Sequence, residues 1–260
     1  MFDRGNGPAI VVIPGVQGRW EWMRPALEAL SVRCHTLSYS LCGDFGSHAA
    51  MTDALGYDMF SRQIDEVLER TKLQRVALCG VSFGGTIAVR YAARYPNRVS
   101  ALVLTSAPGP SWIPSDRQAG YVSRPWLSVV PFCATAVDRL TAEVYEALPS
   151  WPGRLGFAGG FVARALCFPM IPGLMARRIR LLQRQPDFAE EARGIRVPTL
   201  VVTGDPRLDR VIPVGSTREY VGLIPGARYQ MMDGTGHLGL VTQPTRFARI
   251  VGDFIDASHS

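Results

Sequence analysis

The chain has 260 residues, 47% hydrophobic and 19% charged, with a formal net charge of +6, a composition that excludes a disordered or fibrous chain and suffices for one large domain or a core with an insertion. No run of about 18 apolar residues occurs, so no membrane insertion is expected. The positive charge comes from arginines scattered along the whole chain, Lys72 being the only lysine, and without an aromatic-interleaved basic stripe no nucleic-acid partner is expected.

The N-terminal stretch MFDRGNGPAIVVIPG has an acid beside its arginine and an apolar run from Ala9 to Ile13. It reads as a buried strand rather than a secretory signal. A short amphipathic helix around MRPALEAL and the strand CHTLSY follow. GYDMFSRQIDEVLERT then carries Met59, Phe60, Ile64, Val67 and Leu68 at near-helical spacing. RVALCG is a strand, FGGTIAVRYAARY a helix and VSALVLTSA a strand. Late in the chain the alternation resumes with the strand PTLVVTG, the helix GSTREYVGLI, the strand ARYQMMDG and the helix PTRFARIVGDFIDA. Alternating strands and helices imply an α/β fold, a mostly parallel open sheet of about six strands with helices on both faces. Between residues 110 and 190 the alternation stops, and prolines break helical segments such as FCATAVDRLTAEVYEAL and GLMARRIRLLQRQ. Residues 1–109 and 191–260 are therefore expected to form the core, and 110–190 a mainly helical cap.

The five cysteines (Cys34, Cys42, Cys79, Cys133 and Cys167) are odd in number and lack C-x-x-C spacing. No disulfide framework and no metal site are expected, and a cytoplasmic location follows.

Chemistry concentrates around LCGVSFGGT. Ser82 joins a strand to a helix with Gly80 and Gly84 on either side. A hydroxyl there stands at the carboxyl edge of a parallel sheet, on a turn tight enough to need residues without Cβ. The backbone N–H of Phe83, first in the helix, is placed to stabilise an oxyanion. A serine needs a base. His35 falls in a strand, His48 in an early loop and His259 in the tail. His237, in DGTGHLGLVTQP, falls between the last strand and the last helix, on the same sheet edge as Ser82. The imidazole in turn needs a carboxylate, and GDPRLDRVIP offers Asp205 and Asp209 just past a strand.

Through IPGVQG, GDFGS, GVSFGG, TGDPRLDRVIP and GTGHL, nearly the whole chain resembles the α/β-hydrolases. The resemblance implies the chain order Ser82, Asp209, His237 for a catalytic triad, because the family's spacing to Pro213 favours Asp209. Asp205 stays open, since two extra residues separate Gly204 from Asp209. It also implies Val16 as the second oxyanion donor beside Phe83, with Pro14 standing where the family carries a histidine. One or two upstream edge strands are expected to be missing.

The implied function is a cofactor-independent serine hydrolase of a small, largely apolar carboxylic ester, working through an acyl-enzyme. Lactonase, amidase, carbon–carbon bond hydrolase and perhydrolase chemistry remain alternatives, as does a slow-turnover ligand receptor. The only partner expected is the small-molecule substrate, with Trp112 and Trp126 from the cap as pocket candidates. Arg177, Arg178, Arg180 and Arg184 form a cluster expected to be a solvated face, with a substrate carboxylate anchor as the other reading. Nothing in the sequence indicates the oligomeric state.

Overall fold

In this computed structural model, residues 1–52, 54–185 and 188–259 are described. Seven strands, β1 (Phe2–Arg4), β2 (Ala9–Ile13), β3 (His35–Ser38), β4 (Val76–Val81), β5 (Val99–Thr105), β6 (Thr199–Gly204) and β7 (Arg228–Met232), lie in the order β1-β3-β2-β4-β5-β6-β7. All neighbours run parallel except β1, which pairs antiparallel with β3 through Phe2↔Ser38 and Arg4↔Thr36. The six strands expected from periodicity are β2 to β7. The seventh, β1, is three residues long and buries only Phe2, too short to carry a periodic signal.

The core helices are α1 (Arg24–Leu30), α2 (Asp58–Thr71) and α3 (Phe83–Arg94). An insertion between β5 and β6 contains α4 (Asp116–Ser123), α5 (Val129–Ala147), α6 (Trp151–Cys167) and α7 (Pro172–Gln183), and then α8 (Phe188–Gly194) leads into β6. The chain closes with α9 (Val214–Leu223), α10 (Gly239–Thr242) and α11 (Pro244–His259). Residue 190 therefore falls inside α8, whose Phe188 and Ala192 belong to the main core.

Strand periodicity sorts the core into two layers. Val11, Ile13 and Leu78 pack with α2, α3, α8 and α9 on one face. Ile10, Val12, Ala77 and Cys79 pack with α1 and α11 on the other. β4, β5 and β6 are buried along their full length, which is why they read as continuous apolar runs. The α2 stripe of Met59, Phe60, Ile64, Val67 and Leu68 is wholly buried.

The insertion is fastened at a few points. α7 buries Ala176, Arg178, Leu181 and Leu182. α5 buries Glu143 and Ala147 near its C-terminus. α6 buries no residue fully; it touches the core through Phe161, edge-on to Trp22 with ring centroids 5.0 Å apart. Just beyond α6, the Trp22 indole N–H donates to the Phe168 carbonyl at 3.2 Å.

The arginine cluster is not a solvated face throughout. Arg180 and Arg184 are exposed, but Arg178 is fully buried. Its guanidinium donates to the Val16 carbonyl at 2.9 Å, to the Cys42 carbonyl at 3.0 Å and to the carboxylate of buried Asp44. On α7, Arg178 lies four residues after Leu174 and three before Leu181, so helical geometry puts it on the inward stripe; composition alone masks this.

Candidate active site

β4 ends at Val81 and α3 begins at Phe83, leaving Ser82 alone as the turn, with φ 52° and ψ −123°. A side chain with positive φ is sterically unfavourable, and the strain is held by two hydrogen bonds. The Ser82 N–H donates to the Thr105 carbonyl at 2.8 Å, and the Gly85 N–H donates to the Ser82 carbonyl at 2.8 Å. The flanking glycines are needed for close approach. A Cβ at Gly80 would lie 2.4 Å from Gly85 Cα, and one at Gly84 would lie 2.3 Å from the Ile13 carbonyl oxygen. The turn is thus wedged against the exit of β2, where a methyl on Gly15 would sit 3.3 Å from Ser82 Cβ.

That exit loop carries Val16. As the first residue of α3, Phe83 has an N–H with no carbonyl one turn back inside the helix. Arg178 grips the carbonyl of Val16, so the loop bearing this peptide is tied to α7 and, through Asp44, to the segment after β3.

Asp209 and His237 come from the loops after β6 and β7. The two loops are joined where the Asp205 N–H donates to the Thr235 carbonyl at 2.7 Å. His237 Nδ1 lies 3.2 Å from Asp209 Oδ2. Asp209 Oδ1 accepts the N–H groups of Val211 and Ile212 at 3.0 and 3.1 Å. With the Nδ1 proton directed at the carboxylate, Nε2 is the proton acceptor of this tautomer. Burial alone would raise the Asp209 carboxyl, but the charge and hydrogen bond of His237 and the two N–H groups outweigh it and hold it below its ordinary value. Burial alone would lower the His237 imidazole, but Asp209, and more weakly Glu143, leave it raised. Asp205 instead accepts its own loop's Arg207, N–H and guanidinium alike, with the closest contact 2.6 Å.

Ser82, Asp209 and His237 therefore follow the carboxyl ends of parallel strands β4, β6 and β7 and share one edge of the sheet. Asp209 and His237 are in contact. Among the described residues no hydrogen bond joins Ser82 Oγ to His237, whose side-chain partner is Asp209. Trp112 is half-buried against the main core, and Trp126 exposes 66% of its surface beside α7. Among the described residues no cluster of His, Cys, Asp or Glu could hold a metal ion.

One residue of this neighbourhood was not anticipated. Glu143 of α5 is 1% exposed, and its carboxylate accepts the N–H of Leu238 at 2.9 and 3.0 Å. Burial pushes it up to about 6, against the N–H groups of Leu238 and Gly236 and the nearby His237. The available signal was its place four residues before buried Ala147, on one helix stripe.

The profile of the alpha/beta hydrolase fold family matches residues 8–131. Over 99% of its length the chain is 28% identical to the 2-hydroxy-6-oxo-2,4-heptadienoate hydrolase of Pseudomonas putida, covering 92% of that protein. It is 26% identical to the pimeloyl-acyl-carrier protein methyl ester esterase of Nitrosomonas europaea, over 94% of each. The enol-lactonase of Burkholderia xenovorans LB400 superposes with a TM-score of 0.77 over 98% of this chain and 95% of that one, at 24% identity. With its seven-stranded, mostly parallel sheet and helical insertion after β5, the chain has the α/β-hydrolase fold, and a hydrolase of that fold is what the family profile and the curated relatives support.

Proposed function

We propose that this chain is a serine hydrolase that cleaves a small, largely apolar carboxylic ester through an acyl-enzyme. Ser82 Oγ attacks the carbonyl carbon while His237 Nε2 takes its proton. Asp209 fixes the tautomer and stabilises the imidazolium. The N–H groups of Val16 and Phe83 receive the developing oxyanion. Collapse of the tetrahedral intermediate expels the alcohol, which takes the proton from His237, and water then hydrolyses the acyl-Ser82 by the same route. The insertion between β5 and α8 serves as the cap, with Trp112 and Trp126 offered to the substrate.

The observation that carries this reading is the Asp209–His237 contact at 3.2 Å, on the sheet edge where Ser82 sits in its strained turn. A fluorophosphonate that labels the wild type but not Ser82→Ala, with turnover of short-chain aryl esters lost in Ser82→Ala and His237→Ala alike, tests it. Labelling that persists in Ser82→Ala rejects Ser82 as nucleophile.

Carbon–carbon bond hydrolysis is the second reading, favoured by the 28% identity to the P. putida hydrolase over nearly the whole chain. Faster turnover of a 2-hydroxy-6-oxo-dienoate than of any aryl ester selects it.

A further inference from the structure

α6 breaks the rule that a surface helix hides one apolar face and shows a polar one. Its inner side is apolar, with Phe161 against Trp22. Its outer side presents Trp151, Leu155, Val162 and Leu166, each between 56% and 78% exposed. These recur at helical spacing, with exposed Ala158 and Gly159 between them, so they form one apolar stripe about 23 Å long. No charged side chain interrupts it. A helix apolar on both sides needs a cover on the outside as well as the inside.

Charge indicates what the cover is. From Ala147 to Gln185 the sequence contains six arginines and no aspartate or glutamate; Arg178 is buried against Asp44, which leaves five with no acid from this segment to balance them. Two of the arginines lie on α6 itself. Arg154 caps the end of α5, its guanidinium donating to the Leu148 and Tyr145 carbonyls. Arg164 has a buried Nε with no hydrogen-bond partner among the described residues. A second copy seated on this face in a two-fold contact would bring the arginines of both chains together without an acid from either segment. An anionic lipid surface offers an apolar layer for the stripe and phosphates for the arginines, and tryptophan suits the boundary between them. Among the described residues no single helix is long and apolar enough to cross a bilayer; α6 and α7 have that composition only together, and they meet at 92°.

We propose that the outer face of α6 is a peripheral docking surface for an anionic lipid bilayer, on which the helix lies flat. This goes beyond the hydrolase reading and does not depend on it.

Co-sedimentation with vesicles of phosphatidylcholine containing about one third phosphatidylserine, against phosphatidylcholine alone, tests it. The full chain is expected to pellet with the anionic vesicles, to be released as salt is raised, and to lose binding about tenfold in the Val162→Glu, Leu166→Glu double variant. Both positions are solvent-exposed, and an unchanged thermal melt of that variant shows that the fold is intact. A chain that stays in the supernatant with both vesicle types, or a folded double variant that binds like the wild type, overturns the proposal. So does a wild-type dimer in sedimentation velocity that the double variant turns into a monomer while neither binds vesicles, which assigns the face to a second copy.

Discussion

Glu143, in the helical insertion, holds the backbone N–H of Leu238, the residue directly after His237. A second contact reinforces the first, since the Gln243 side-chain amide donates to the Ala147 carbonyl at 3.1 Å. The C-terminal end of α5 thus braces the loop that positions the proposed base. Glu143 acts on His237 through this loop and through its charge.

That charge has a testable consequence. Glu143 and Asp209 both favour the imidazolium, and a general base works only when neutral. Glu143→Gln keeps an acceptor for the Leu238 N–H but removes the charge, so the acid limb of kcat/KM against pH moves to lower pH. An acid limb left in place shows that the carboxylate serves packing alone.

The same residue sets a stability profile. Its carboxyl is held at about 6 instead of the ordinary 4.5, so the folded state binds its proton more tightly than the unfolded state. The stability this contributes is fully present below about pH 4.5 and is lost as pH rises through about 6, a change of about 2 kcal/mol. Urea unfolding of Glu143→Gln should lack this loss, and parallel pH profiles for the two proteins would falsify the assignment.

Ser82 stores strain. Replacing it with glycine relieves a φ of 52°, so Ser82→Gly should abolish turnover while raising stability by about 1 kcal/mol. Denaturant midpoints measure this; a less stable glycine variant would mean that the Ser82 side chain contributes more than its backbone costs.

Arg178 and Asp44 are buried together. Burial pushes Arg178 down and Asp44 up, each opposed by the other's charge. Arg178→Met leaves an unpaired buried carboxylate and should cost about 3–5 kcal/mol, with Asp44→Asn in the same chain recovering part of it. Additive losses in the double variant would show that the two groups do not act as a pair. Because Arg178 also holds the Val16 carbonyl, the double variant should regain stability without regaining full kcat.

The two candidate acids separate by rate. Asp209→Asn should lower kcat by about 10³–10⁴ by permitting the wrong imidazole tautomer. Asp205→Asn disturbs only the contact with Arg207, a side chain 82% exposed, and should stay within a few-fold of wild type. The reverse order would move the triad acid to Asp205.

The strand and helix alternation, the glycine-flanked Ser82 and the sheet edge shared with His237 were all legible in the order of the amino acids. These features are local: a period of two or of 3.6, a turn too tight for Cβ, and the rule that parallel strands put their exit loops on one side. That order left Asp205 and Asp209 open, because both follow β6 within a few residues and spacing does not say which one meets an imidazole 28 residues away. Tertiary structure alone buried Glu143 and Arg178, whose partners lie 95 and 134 residues distant. It also left the outer side of α6 uncovered, a helix whose four glycines (Gly153, Gly156, Gly159 and Gly160) lower its intrinsic propensity. Pairings over such separations depend on how the insertion folds back onto the sheet, and no local periodicity encodes that.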